Sequence, residues 1–226
     1  MSRIAAVVAN PTVGAELGHL GDWLDDNGFE VRRLVRDDVL DIDAADDADL
    51  LIVLGSEWTL ARTMDRDDDP PQAPAAIAAE RDLVGRWVAQ DRPMFGICFG
   101  GQILSAALGG EVTRQASPHI AWETPETGIE ALRAPWVLLH NDAFTVPEGA
   151  ELLAEADHAP IAFRRGRAWG VQFHPEVDAA ILAQMFDDVG TAREVAAPQV
   201  DALRARAEQQ RQDSMRLFDA FWAEVG

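Results

Sequence analysis

Met94-Phe95-Gly96-Ile97-Cys98-Phe99-Gly100-Gly101-Gln102 sets the chain's only cysteine between two glycines. Residues 93–97 ahead of it form a short apolar run. Behind it, Ile103, Leu104, Ala107 and Leu108 recur at helical spacing until Gly109-Gly110 ends the pattern. Gly96-x-Cys98-x-Gly100 therefore has the form of a nucleophile elbow, a sharp strand-to-helix turn whose small neighbours let backbone pass close. A thiol there stands at a helix N-terminus. Free N–H groups and the helix dipole favour its anion and can bring its pKa from roughly 8.5 to about 3.5–7.5.

Working outward, Ile4 to Ala9 is an apolar run without alternation, as expected of a strand covered on both faces. Residues 14–27 carry Leu17, Leu20, Trp23 and Leu24 on one helical face, with Gly28 suited to the C-terminal cap. Residues 29–34 and 49–54 read as the next two strands, the latter running into Gly55-Ser56. Strand alternating with helix predicts a parallel sheet in an α/β layer fold. The aspartate-rich stretches 37–49 and 65–69 raise calcium, but neither fits an EF-hand loop and both read as solvated loops. Residues 75–90 are predicted helical after Pro70, Pro71 and Pro74.

Beyond Gly110, the short segments 111–114, 120–123, 136–140, 152–156, 161–164 and 169–173 predict β-rich structure, part of it antiparallel. Residues 178–189 return to helical spacing. Val200, Leu203, Met215, Phe218, Phe221, Trp222 and Val225 then mark a helix or helix pair that docks on the body.

Nineteen basic against thirty-nine acidic residues give a net charge of -20, and there is no lysine. Nucleic acid and anionic membrane are poor partners for such a surface. One cysteine cannot form an internal disulfide, and the apolar run before Asn10-Pro11 is too short for a signal peptide or membrane span. A cytoplasmic location is expected.

A cysteine nucleophile needs a base to take its proton and a group to orient that base. Among the five histidines, His174 stands in Val171-Gln172-Phe173-His174-Pro175-Glu176 at the end of a predicted strand. Proline biases the residue before it toward extended backbone, where side chains two apart lie on one side, so Glu176 can hold one ring nitrogen while the other faces the thiol. Cys98, His174 and Glu176 are the expected catalytic triad. Zinc is set aside for want of Cys-x-x-Cys, His-x-x-x-His or a second thiol, so neither metal nor cofactor is expected.

These stretches resemble the class I glutamine amidotransferases, of the stand-alone kind similar to the glutaminase part of GMP synthase. Gly96-Ile97-Cys98-Phe99-Gly100-Gly101-Gln102 is similar to the family's G-[IV]-C-x-G-x-Q, and Gln172-Phe173-His174-Pro175-Glu176 to its Q-F-H-P-E. His140-Asn141-Asp142-Ala143-Phe144, with Val146-Pro147-Glu148-Gly149-Ala150, resembles its H-G-D-x-F and L-P-x-G-A. His119-Ile120-Ala121-Trp122 sits where the family has E-I-G-W.

The resemblance implies a flavodoxin-like open, mostly parallel sheet with helices on both faces and a smaller antiparallel β portion. The amidotransferase domain would span 1–190, with a C-terminal helical extension over 191–226 packed on it. It also implies attack of the Cys98 thiolate on the side-chain amide of glutamine, a γ-glutamyl thioester, and release of ammonia and glutamate. The oxyanion hole would be made by Ser56 and Phe99, and substrate would be held by Gly55, Gln102 and Trp122. A separate ammonia-using synthetase subunit is the expected partner.

The departures are Gly55-Ser56-Glu57 for the family's Gly-Gly-Pro, Asn141 for glycine and Ala121 for glycine. They bear on the oxyanion loop and the pocket wall. A hydrolase of another γ-glutamyl amide or peptide, and a non-catalytic regulatory or partner-binding protein on the same fold, are the alternative readings.

Overall fold

The computed structural model describes residues 2–11, 15–36, 41–61 and 70–226. Its centre is a seven-stranded sheet built from β1 (Arg3–Ala9), β2 (Phe29–Val35), β3 (Leu50–Val53), β4 (Met94–Ile97), β7 (Glu151–Ala156), β8 (Ala159–Arg165) and β9 (Ala168–Val171), in the order β2-β1-β3-β4-β9-β8-β7. The first five in that order run parallel, β8 pairs antiparallel with β9, and β7 antiparallel with β8. The β3 and β4 side chains are buried on both faces, which their unbroken Leu50-Leu51-Ile52-Val53 and Met94-Phe95-Gly96-Ile97 runs require. A separate antiparallel ribbon pairs β5 (Val112–Glu123) with β6 (Trp136–Phe144).

Two apolar layers cover the sheet. On one face, α1 (Gly18–Asp26) and α6 (Ala207–Val225) pack on β1, β3 and β4. Phe221 lies 4.9 Å from Phe95, and Phe218 lies 5.9 Å from Trp23, centroid to centroid. Full burial of each such ring contributes about 1.5–3 kcal/mol. On the other face lie α2 (Ala73–Ala89) and α3 (Phe99–Ala107). A third cluster joins α4 (Ala179–Asp188) and α5 (Arg193–Ala205) to Val137 of the ribbon.

The structure departs from the sequence reading at several places. Residues 111–114 and 120–123 belong to one strand, β5, whose register shifts between Arg114 and His119. Pro118 has no N–H for the ladder, so the irregularity falls where the sequence suggested a break. The last predicted strand ends at Val171 rather than at residue 173. The C-terminal pattern is a helix pair, parted at Arg206. The acidic stretch 65–69, residues 37–40 and the Gly14 start of the first predicted helix lie outside the described residues. Within 41–49, Asp49 accepts a hydrogen bond from the Ile4 amide at 2.8 Å and Asp47 pairs with Arg32.

Candidate active site

β4 delivers the chain to Cys98, whose φ of 53° and ψ of -105° lie in a region that non-glycine residues avoid. Such strain costs on the order of 1–3 kcal/mol and persists only where the surroundings over-determine it. Here the Cys98 amide donates to the Val171 carbonyl of β9 at 2.8 Å. Gly96 backs onto the Gly100 carbonyl, and Gly100 onto the Val53 carbonyl of β3, too closely for any Cβ. The two glycines flanking Cys98 are thus the condition for the turn. The thiol is oriented toward the Leu139 carbonyl at 3.7 Å, and Gln172 Nε2 donates to the sulfur at 3.5 Å.

His174, 1% exposed, stands three residues beyond the end of β9. Its Nδ1 lies 2.7 Å from Glu176 Oε1, and its Nε2 is buried without a hydrogen bond. Burial opposes the imidazolium, but the Glu176 carboxylate and the neighbouring Cys98 outweigh it and hold the His174 pKa well above its ordinary value. Three elements brace this segment. The His174 amide donates to Val137 O of β6 at 3.0 Å, His19 N of α1 donates to Glu176 O at 2.8 Å, and Ser214 Oγ of α6 donates to Pro175 O at 2.6 Å.

Opposite stands the loop after β3. A Cβ at Gly55 would meet His174 Cε1 at 3.2 Å and Cys98 Cβ at 3.7 Å, so the missing side chain makes the room these two share. Ser56 has no positive φ, and its Oγ accepts from Trp58 N and Asn10 Nδ2, each at 3.1 Å. Phe99 opens α3, so its amide is among those without a partner inside the helix.

Beneath both lies Arg36, fully buried. It ion-pairs with Glu80 through Nε at 2.8 Å, donates to Leu54 O at 3.1 Å and Gly55 O at 3.2 Å, and sits 4.7 Å from the Phe99 ring centroid. One guanidinium therefore ties the Gly55 loop to the first residue of α3. Its fixed fork of five donors suits that task better than a lysine would.

Cys98, His174, Gly55, Ser56 and Gln102 line one cavity of about 350 Å³. Gln102 Nε2 donates to the Asp142 carbonyl at 2.9 Å. Trp122 is not among the lining residues. It packs on the cluster around Val137 and Leu182, with the Arg206 guanidinium 5.2 Å from its ring centroid, because β5 turns it toward α4 and α5. Phe99, whose side chain is in the core, offers the site only its backbone.

Sequence reasoning missed Gln172, Arg36 and the Arg114–Asp142 ion pair, 2.8 Å apart on the cavity wall. The signal for Gln172 was present, since it stands two residues before His174 in an extended chain. Arg36 and Arg114 are single arginines in stretches that carry no motif.

The described chain aligns along 98% of its length, and 98% of the other's, with a glutamine amidotransferase structure from Thermotoga maritima, at TM-score 0.82 and 18% identity, a likeness of fold. Within the sequence, 92 residues are 36% identical to the GMP synthase [glutamine-hydrolyzing] of Bdellovibrio bacteriovorus, covering 38% of this chain and 18% of that enzyme. Likewise, 120 residues are 35% identical to that of Porphyromonas gingivalis, covering 45% and 24%. The chain spans less than a quarter of the length of those two relatives. The glutamine amidotransferase class-I family model matches residues 69–186, more than half of the chain, which carry the Cys98 elbow and the His174-Pro175-Glu176 segment. The chain belongs to the class-I glutamine amidotransferase family.

Proposed function

We propose that the protein hydrolyses the side-chain amide of glutamine through Cys98, His174 and Glu176. The observation that carries this is a thiol in strained backbone beside a histidine whose far nitrogen is 2.7 Å from a buried carboxylate, in a cavity of about 350 Å³. Glu176 accepts from Nδ1 and leaves Nε2 to hold the Cys98 proton. The thiolate attacks the amide carbon. The oxyanion meets the amides of Phe99 and Ser56, each worth on the order of a hundred- to a thousandfold in rate. His174 then gives its proton to the departing ammonia, leaving a γ-glutamyl thioester, and water activated by the same imidazole releases glutamate and restores the thiol.

Arg114 and Asp142 on the cavity wall present a cation and an anion, which suits the carboxylate and ammonium at the α-carbon of an amino acid. Arg36 positions the oxyanion loop. The ammonia passes to a separate synthetase or is released. Asn141 and Glu57 put polar side chains on the wall where the family pattern has glycine and proline, and this change in what a leaving group meets makes another γ-glutamyl compound the second reading.

The deciding experiment follows ammonia or amine release from glutamine and a panel of γ-glutamyl compounds, beside Cys98→Ala. Glutamine turnover lost in the variant is expected. Turnover of the other compounds alone selects the second reading. Silence toward all of them, with no labelling of Cys98 by a glutamine-like electrophile, overturns both.

A further inference from the structure

We propose that His119, His140 and His158 form a binding site for one divalent transition-metal ion of the zinc type, separate from Cys98. The three rings come from different elements. His119 of β5 is the register partner of His140 in β6, and His158 lies in the turn between β7 and β8. One ring nitrogen from each lies within 4.8 Å of the others, the one such histidine group among the described residues. His119 and His158 stack at 3.9 Å between centroids.

Their hydrogen bonds already select the ligating atoms. His140 Nδ1 lies 3.0 Å from the Asp142 carbonyl. A carbonyl only accepts, so Nδ1 carries the proton and Nε2 keeps its lone pair. That Nε2 is buried and has no partner, in a residue 5% exposed. A buried acceptor with nothing to accept costs about 1–3 kcal/mol, and a cation removes that cost.

The Glu123 carboxylate stands 2.7 Å from His119 Nε2 and 3.6 Å from His158 Nδ1. It backs two of the rings as carboxylates back metal-bound histidines, fixing tautomer and raising ligand basicity.

Three imidazoles match zinc, copper or nickel rather than the oxygen-seeking magnesium or calcium. Bonds of about 2.1 Å in a tetrahedral site set donors about 3.4 Å apart, so closure asks the half-exposed His119 and His158 rings to move by roughly 1 Å. The ion would pin the β5–β6 ribbon to the β7–β8 hairpin. It would do so through His140, which also lines the cavity holding Cys98.

The test uses the full chain stripped with a chelator and titrated with Co²⁺, then Zn²⁺, following the visible d–d absorption. One Co²⁺ per chain, displaced by Zn²⁺, is expected. His119→Ala and His158→Ala should each weaken binding at least tenfold, His140→Gln should abolish it, and Glu123→Gln should weaken it about ten- to a hundredfold. Circular dichroism and melting curves check that each variant folds, and the half-exposed His119 and His158 keep the test decisive if His140→Gln does not. Absence of saturable binding overturns the proposal. So does a sulfur-to-cobalt band that disappears in Cys98→Ala while His119→Ala and His158→Ala bind normally.

Discussion

Two histidine–carboxylate pairs of equal length stand in opposite surroundings. His174 meets Glu176 at 2.7 Å in full burial, with a thiol on its other side. His119 meets Glu123 at the same distance in a half-exposed place, with two more imidazoles beside it. Beside the thiol, the carboxylate and the potential thiolate favour a cation, and the His174 pKa rises. Among imidazoles, burial and like charge disfavour it, and both His140 and His158 are lowered. The pair alone therefore does not define the chemistry. What the outer nitrogen faces decides whether a histidine handles protons or offers a lone pair.

The strongest way to break this contrast is Glu176→Gln, which leaves the shape and removes the charge. The kcat of the proposed glutamine hydrolysis should fall about 10³–10⁴-fold with KM little changed, as expected if Glu176 orients the base of a triad. Steady-state ammonia release measures it, and a loss below tenfold would mean that Glu176 does not orient the base.

The next effect is on acid stability. The His140 pKa is depressed to about 3 in the folded chain against 6.5 unfolded, so between these values the unfolded state binds more protons. Folding stability is then lost as pH falls through that window, by about 2–3 kcal/mol between about pH 7.5 and about pH 4.5. The raised His174 has the reverse sign. Its contribution is complete below the unfolded value and is lost as pH rises through the folded one, so below about pH 6.5 it adds nothing to this acid limb. Urea unfolding of the chelator-treated protein across pH should show the slope, and His140→Gln should flatten it.

Ser214→Ala sharpens the rigidity of the His174 side. It strips the buried Pro175 carbonyl of its 2.6 Å donor in α6 and should cost about 1–2 kcal/mol in urea unfolding. The smallest effect belongs to the half-exposed pair. Glu123→Gln in metal-free protein should change stability by less than about 1 kcal/mol by the same measurement, because water can replace the carboxylate at a partly exposed imidazole.

Much of the fold was legible because its cues are local. The unalternating runs of β1, β3 and β4 could only be strands covered on both faces, and the glycines around Cys98 could only serve a tight turn. The His174–Glu176 contact was legible for the same reason, two residues apart in extended chain. Trp122 was read from a likeness of neighbouring residues. The direction of its side chain depends on which face of β5 meets α4 and α5, a tertiary fact.

The sequence by itself determined an α/β sheet, the strand that ends at a lone cysteine, and the histidine and glutamate that follow a later strand. These rest on periods of 2 and 3.6 residues and on motifs of about five to seven residues. The tertiary structure decided that α1, β6 and α6 clamp the His174-Pro175-Glu176 turn, and that Arg36 ties the Gly55 loop to Phe99. It also decided that three histidines from positions 119, 140 and 158 share one point. Spacing along the chain could not show that meeting, because chain separation does not measure distance once a ribbon and a hairpin fold onto each other.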